Sequence, residues 1–156
     1  MTQSHARVRW NRATKRRVTS GIGLIAAASV TGVVLGVLPA FAVTTHSTCQ
    51  FGDVCYWYQS YYGGSSEGVY ENDPDFLSPV VYFQHAGTGQ GSQLANDAGS
   101  AANYSQTCGA AIWYSANYTG AHIALGAYGT GTNQSPTLGS VNNNNRSQDM
   151  SYAAGC

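Results

Sequence analysis

Three histidines lie beyond the first forty residues of the chain, and none belongs to a catalytic motif. His46, His85 and His122 lack the spacing of His-Glu-x-x-His, and no Gly-x-Ser-x-Gly turn is present. Asp73 and Asp75 form a carboxylate pair, but they flank a proline in a segment typical of a turn. Because no set of nucleophile, base and orienting group can be named, the sequence predicts a protein that is not an enzyme.

The N-terminal region has the three parts of a secretory signal. Six of the seven basic residues precede an uncharged apolar run, Gly21 to Leu38, which is followed by Pro39-Ala40-Phe41-Ala42. This order predicts a cleavable signal sequence over residues 1–42, with the apolar run as its helix. An uncleaved membrane anchor is the alternative, and the Ala-x-Ala end and the four glycines of the run favour cleavage. The twin-arginine and general export routes are both open.

The predicted mature domain, residues 43–156, is acidic. It keeps one basic residue, Arg146, and all seven acidic residues, which gives a net charge of −6. Such a domain lacks the basic patch that nucleic-acid binding requires, and anionic lipid surfaces repel it. Its length, 156 less 42 or 114 residues, fits one domain. We therefore expect a secreted, extracellular monomer with no nucleic-acid partner and, after cleavage, no membrane partner.

All four cysteines fall in this domain, at Cys49, Cys55, Cys108 and Cys156. An even number in a small exported domain usually forms disulfides, and four cysteines allow three pairings. We favour a short loop closed by Cys49–Cys55 and a long loop closed by Cys108–Cys156. A zinc site is excluded by spacing, because no two cysteines are separated by two to four residues.

The domain repeats an aromatic pattern with an offset of 56 residues. Each copy has a tryptophan, an aromatic residue five positions later and a glycine two further on: Trp57, Tyr62 and Gly64, then Trp113, Tyr118 and Gly120. Glycine permits a positive φ at a folded-over hairpin, across which the two aromatic rings pack as a corner.

Polar clusters and short strands complete the repeat. A cluster of Asn or Asp followed by serine lies downstream of each corner, at residues 96–100 and 142–147. Strands are predicted at Val54–Tyr58, Glu67–Glu71, Ala111–Ser115 and Ala121–Leu125, and no helical period appears beyond the signal. The pattern predicts an all-β sandwich of two Greek-key motifs, in halves of about 49–107 and 108–156.

The repeated corner and the Asn/Asp-Asn/Asp-x-x-Ser cluster resemble the βγ-crystallin-like proteins. With the signal and the early cysteine pair, the chain is most similar to a family of secreted bacterial peptidase inhibitors, whose best-known members inhibit metalloproteinases. The resemblance covers nearly all of residues 49–156. It implies a βγ-crystallin-like fold and a protein that blocks an extracellular protease with its surface loops.

In βγ-crystallins the polar cluster binds calcium, so the resemblance implies calcium ligands among Asn96, Asp97, Ser100, Asn143, Asn144 and Ser147. Ala101 replaces the final serine of the motif, and in the second half two registers are open, one of which loses Ser147. Calcium takes six to eight hard oxygens, and the two clusters supply one carboxylate. A turn is the alternative, since Asn and Asp tolerate left-handed backbone. No cofactor is required by either interpretation.

The resemblance also implies a disulfide-braced inhibitory loop, which Cys108, Gly109 and Ala110 match. A plain structural staple is the alternative for Cys108, because no second cysteine closes the loop locally. Two classes of function follow: a protease inhibitor, or a calcium-binding or purely structural crystallin-like domain. A secreted antimicrobial toxin comes third, and its acidic charge would require a receptor.

Overall fold

The computed structural model describes residues 42–152 and residue 156. The predicted signal sequence lies outside this part except for Ala42, so its cleavage stays a prediction. Within the described residues, no helix has the length and apolar character needed to cross a membrane.

Short strands joined by turns make up the regular structure of the described residues. The strands are β1 (Thr45–His46), β2 (Val54–Gln59), β3 (Gly63–Val69), β4 (Ser100–Asn103), β5 (Ala110–Ser115), β6 (Thr119–Leu125), β7 (Gln134–Ser135) and β8 (Ser147–Asp149). Two 3₁₀ turns, Ser60–Tyr62 and Gly139–Val141, are the helical elements among them. The all-β prediction is confirmed. The predicted strand at Glu67–Glu71 was placed too late, because the tight turn returns the chain to extended backbone at Gly63.

The strands form two antiparallel sheets that exchange one segment each. The five-stranded sheet has the order β1-β3-β2-β4-β7, and the three-stranded sheet has the order β6-β5-β8. β7 of the second half pairs with β4 of the first, while Asp73 of the first half bridges to Gln148 on β8. Each half therefore contributes its third strand to the other half's sheet, and the two predicted Greek keys are interlocked.

The core lies between the sheets and draws large side chains from both halves. Its largest apolar members, all fully buried, are Tyr56, Phe76, Phe83, Leu94, Ile112 and Leu138. The ring of Tyr56 meets that of Phe76 edge-on, with centroids 5.6 Å apart. Burial of such side chains contributes about 1.5–3 kcal/mol each, which makes the packing of the two halves a main source of stability.

Two disulfides close loops of very different length. Cys49 is bonded to Cys55 and Cys108 to Cys156, with Cα atoms 5.6 and 5.1 Å apart. Both predicted pairings are confirmed. The first holds the chain at the start of β2, and the second ties the segment before β5 to the last residue.

The two hairpins have the same backbone but different aromatic packing. Gly64 and Gly120 both have positive φ, at 78° and 85°, and each hairpin contains a register shift next to its tryptophan. Trp57 and Tyr62 make a T-shaped contact with centroids 5.2 Å apart. In the second hairpin the ring of Trp113 lies 4.1 Å from that of His122 and also meets Tyr152, so its ring contacts are with these residues and not with Tyr118 as predicted.

Candidate functional site

A buried asparagine organises the loop between β4 and β5. The side-chain nitrogen of Asn103 donates to the carbonyl oxygens of Cys108 (2.7 Å) and Gly126 (3.0 Å). Its side-chain oxygen accepts from the amide of Ser105 at 2.9 Å. Asn103 is fully buried, so these bonds are shielded from water. One side chain thus joins both ends of the loop to a neighbouring segment.

Ser105 and the second disulfide add further ties. The hydroxyl of Ser105 accepts from the amide of Cys108 at 3.1 Å, and its carbonyl accepts from the amide of Tyr128 at 2.7 Å. Cys108 is bonded to Cys156. Gln106 and Thr107 stand exposed between these attachments. We call residues 104–108 the braced loop.

The predicted inhibitory residues require a correction. Gly109 and Ala110 are buried, and Ala110 already pairs with Leu125 as the first residue of β5. They cannot enter a protease cleft while the strand is intact. The exposed tip of this loop is formed instead by Gln106 and Thr107, immediately before Cys108.

Exposed aromatic side chains stand beside the braced loop. Phe51, 66% exposed, meets the ring of Tyr128 edge-on at 5.5 Å, and Tyr128 stacks on Tyr104 at 5.5 Å. A cleft of about 440 Å³ is lined by Phe51, Gly52, Tyr70, Met150 and residues 105–108. We call Phe51, Tyr70 and Met150, together with the stacked rings of Tyr104 and Tyr128 beside Phe51, the aromatic cleft.

The position of Phe51 depends on its neighbours in the chain. It lies inside the small loop closed by Cys49–Cys55, and the amide of Gly52 donates to the carbonyl of Tyr104 at 3.1 Å. Gly52 has a φ of +100°, and a Cβ at this position would collide with the ring of Tyr70. Both the disulfide and the glycine therefore hold Phe51 against the braced loop.

Sequence reasoning missed the central residue of this site. Asn103-Tyr104-Ser105 has the pattern of a glycosylation sequon, but the buried and fully bonded side chain of Asn103 is unavailable to a sugar. Phe51 and Tyr128 are 77 positions apart, and no local pattern joins them. The signal that was present is the glycine-rich segment after β6, where the chain must turn back toward the loop.

The two polar clusters meet each other across the exchanged strands. The amide of Asn96 donates to the carbonyl of Asn145 at 2.7 Å, and that of Asn143 donates to the carbonyl of Ala98 at 3.0 Å. Asn143 therefore takes the position of Asn96 in the second cluster, and Asn145 takes that of Ala98, at an offset of 47 residues. Of the two registers that were open for the second cluster, this equivalence selects Asn143–Ser147. Asn96 and Asn143 both have positive φ, as expected of turns.

The serines of the clusters support the hairpin corners. The hydroxyl of Ser100 donates to the carbonyl of Gln59 and accepts from the amide of Tyr62. At the equivalent position, the hydroxyl of Ser147 donates to the carbonyl of Ser115 and accepts from the amide of Tyr118. Each buried hydroxyl thus satisfies two backbone groups that the tight turn leaves unpaired.

The remaining donors fit calcium poorly. Asp97 supplies the single carboxylate of the two clusters, and Asn96, Asn143 and Asn144 are exposed. Within the described residues, no three His, Cys, Asp or Glu side chains lie close enough together to hold a metal ion. Calcium prefers several carboxylates among six to eight oxygens. The calcium sites therefore stay a prediction with a weak donor set.

Acidic side chains elsewhere serve the fold. Buried Asp53 accepts from the amide of Gln50 and lies 3.0 Å from Nδ1 of His46, while Glu67 accepts from the amide of Gln84. Burial raises the pKa of Glu67. At the surface, Arg146 donates twice to Asp75, and this hydrogen bonding lowers the pKa of that carboxyl group.

A buried polar network joins the two halves at the strand exchange. The hydroxyl of Tyr56 donates to Gln148 at 2.7 Å, and the Gln148 amide group donates to the carbonyls of Val69 and Glu71. Asp73 lies in the same region with one carboxylate oxygen unpartnered, and burial raises its pKa to about 6. Apart from that oxygen, the groups of this network satisfy backbone and side-chain atoms of both halves.

Comparison with solved structures places this fold among known double Greek keys. A chain from a structure described as "Evolution of the eye lens beta-gamma-crystallin domain fold" aligns with a TM-score of 0.51 and 21% identity. The alignment covers 69% of this chain and 94% of that one. The architecture is therefore that of a βγ-crystallin domain.

The family follows from the sequence match. The model of peptidase inhibitor family I36 matches residues 42–125, which is more than half of the chain. The protein belongs to peptidase inhibitor family I36. Membership suggests a non-catalytic protein with a protease as its partner, and the disulfides fit an extracellular location. A comparison with curated proteins finds no match.

Proposed function

We propose that this protein is a secreted, non-catalytic inhibitor that blocks an extracellular peptidase with the braced loop and the aromatic cleft. The family supports the class of partner. The observation that carries the proposed contact is the attachment of the braced loop at both ends by Asn103, with Gln106 and Thr107 exposed between.

Rigidity is the property that makes such a loop suitable for inhibition. A flexible loop loses conformational freedom when a protease cleft closes on it, and that loss weakens binding. In the braced loop the bonds of Asn103 and Ser105 and the Cys108–Cys156 disulfide fix the backbone before the partner arrives. Less entropy is then lost on association, and a cleaved loop would keep its ends together.

The aromatic cleft provides the second part of the contact. Aromatic side chains dominate the binding energy of many interfaces because they bury a large area with few rotatable bonds. Phe51 and Tyr128 are exposed and support each other, so they are ordered before binding. The tip itself is uncharged, which suits a neutral polar or shallow pocket on the peptidase.

The test uses purified protein and a panel of secreted metallopeptidases and serine peptidases. We expect wild-type protein to inhibit at least one of them at micromolar concentration. Phe51→Ala should weaken that inhibition by about thirtyfold, the value of a central aromatic contact worth about 2 kcal/mol. Tyr114→Ala is the matched control, because Tyr114 is also an exposed aromatic, 47% accessible, but lies on β5 outside the aromatic cleft.

Two results would count against this proposal. One is a panel in which no peptidase is slowed. The other is equal loss of inhibition in Phe51→Ala and Tyr114→Ala, which would move the contact away from the aromatic cleft.

A calcium-binding or structural domain is the second candidate, favoured by the paired polar clusters at Asn96–Ser100 and Asn143–Ser147. Calcium that binds only the folded state raises the melting temperature. The measurement is thermal unfolding in calcium and in chelator, with Asp97→Asn as the variant that removes the single carboxylate. Equal melting temperatures in wild-type protein would leave the clusters as turns.

A further inference from the structure

The outer edges of the two sheets differ in the backbone hydrogen bonds that they receive from other described segments. The outer side of β3 is covered along its length. β1 pairs with Gly68 and Val69 at one end of β3. Loop 84–88 covers the middle of the strand: the amide of His85 donates to the carbonyl of Ser66, and the amide of Ser65 donates to the carbonyl of Thr88. The backbone groups on the outer side of β3 are therefore satisfied.

β6 is the equivalent strand of the second half, and its outer edge is open within the described residues. It pairs with β5 on one side, and no backbone hydrogen bond from another described segment reaches residues 119–125. Five of its seven residues, Thr119 to His122 and Ala124, are exposed.

Part of this difference comes from a shorter connection in the second half. From Phe76 to Ser100 the first half uses 24 positions, and these include the loop that covers β3. The equivalent stretch of the second half, from Leu138 to Ser147, uses nine. The fifteen extra positions of the first half include loop 84–88, which covers part of β3, whereas β1, which covers the rest, lies outside this connection.

The open edge also lacks the features that usually prevent pairing. Natural edge strands often carry lysine or another charged residue, or a proline, and each of these blocks addition of another strand. β6 has the sequence Thr-Gly-Ala-His-Ile-Ala-Leu, which contains no Lys, Arg, Asp, Glu or Pro. In a domain with a net charge of −6, this uncharged edge is a surface on which two copies can approach without opposing carboxylates.

The outward side chains of β6 favour a second copy over a foreign peptide. A sheet edge that selects a peptide uses pockets for alternate side chains. β6 presents Gly120, His122 and Ala124, and glycine and alanine are too small to form the walls of such pockets. An edge strand that pairs antiparallel with the same strand of a second copy needs no such pockets, because the two-fold axis makes the two edges complementary to each other.

We propose that β6 pairs antiparallel with β6 of a second copy of this chain, about a two-fold axis near Ile123, and that the two three-stranded sheets become one of six strands. His122 then lies opposite Ala124 of the second copy, with Trp113 and Tyr152 of each copy beside the new pair. The protein is a dimer in solution, contrary to the monomer expected from the sequence.

The experiment uses the full chain as its host produces it, with the N-terminus read by mass spectrometry. Sedimentation over a concentration series should show a monomer–dimer equilibrium. Hydrogen exchange of the amides of residues 119–125 should slow as the concentration rises. Ala124→Lys should weaken the dimer by about tenfold or more, because the charge enters the interface twice. The same change makes the domain less acidic, so general charge repulsion predicts the opposite result.

Tyr114→Lys is the matched control, since it adds the same charge on β5, a strand that is paired on both sides. We expect it to leave the dimer unchanged, and thermal unfolding of both variants at low concentration checks that they fold.

A monomer at every concentration overturns the proposal, as does equal weakening by Tyr114→Lys. Protection of β6 that is independent of concentration would show a segment of the same chain on the edge. Protection that appears only when a peptidase is added would assign the edge to that partner. Either result overturns the dimer.

Discussion

The first half of the domain is long and covered, whereas the second is short and open. Both use the same hairpin, with glycine at positive φ and a buried serine beneath the turn. They differ in what surrounds it. The first half has a disulfide that spans six positions and a loop over β3, and the second has a disulfide that spans 48 positions and a β6 whose outer edge receives no backbone hydrogen bond from another described segment. The shared hairpin is therefore what builds the fold, and the binding surfaces that we propose lie on features that the two halves do not share.

The largest expected loss of stability comes from removing a disulfide, and its size differs between the halves. In the chain-entropy model, removal of Cys108–Cys156 by alanine at both positions should lower the free energy of unfolding by about 4 kcal/mol, and removal of Cys49–Cys55 by about 2 kcal/mol. The reason is loop length, 48 positions against six. Urea denaturation of the two double variants measures both values. Equal losses of unfolding free energy would mean that the Cys108–Cys156 disulfide stabilises the protein no more than the short Cys49–Cys55 disulfide does.

The next difference is a pH dependence that only the first half supplies. Asp73 occupies the exchanged strand where the second half has Ser135, and burial raises its pKa to about 6. The folded state therefore holds this proton more tightly than the unfolded chain, in which the pKa is 3.8. The free energy of unfolding should fall as the pH rises from about 4 to 6, by up to about 3 kcal/mol.

Asp73→Asn should reduce that slope in urea titrations at a series of pH values. Glu67, whose pKa burial also raises, contributes a slope of the same sign, so some dependence should persist. Asp75 acts in the opposite sense at lower pH, because Arg146 lowers its pKa. Asp97→Asn, outside this network, is the control. An unchanged slope in Asp73→Asn would assign the dependence elsewhere.

The smallest expected difference is between the two serines. Ser100→Ala and Ser147→Ala each leave one backbone amide and one carbonyl without their partner, so each should cost about 1–2 kcal/mol of unfolding free energy. We expect the two values to agree, as measured by urea denaturation. A loss at one position that is several times the other would contradict the structural equivalence of the hairpins.

Local patterns predicted the fold well. The spacing of Trp57, Tyr62 and Gly64 and of its repeat identified both hairpins, because that turn is specified by adjacent residues. The disulfide pairing that we favoured among three possibilities agrees with the structure. The strand exchange was not predicted, although Asp73-Pro74 and Ser135-Pro136 are both followed, after one residue, by a buried apolar side chain. Their offset is 62 rather than 56, since the connections on either side differ in length.

The candidate site was predicted less well because its contacts are distant in sequence. Cys108, a residue of the predicted loop, lies at the end of the braced loop, but the exposure of Gln106 and Thr107 depends on where β5 begins. The role of Asn103 depends on Gly126, which is 23 positions away. Such contacts follow from the packing of the two halves, and a single sequence without homologues contains no signal for them.

The exchanged strands also make the folding of each half depend on the other half. Asp73 pairs with Gln148, and Tyr56 bonds to the same residue across 92 positions. Without the second half, the third strand of the first half has no sheet to join, and the core residue Tyr56 has no partner for its hydroxyl. We therefore expect the two halves to fold together, and a fragment that ends before the second half should not fold.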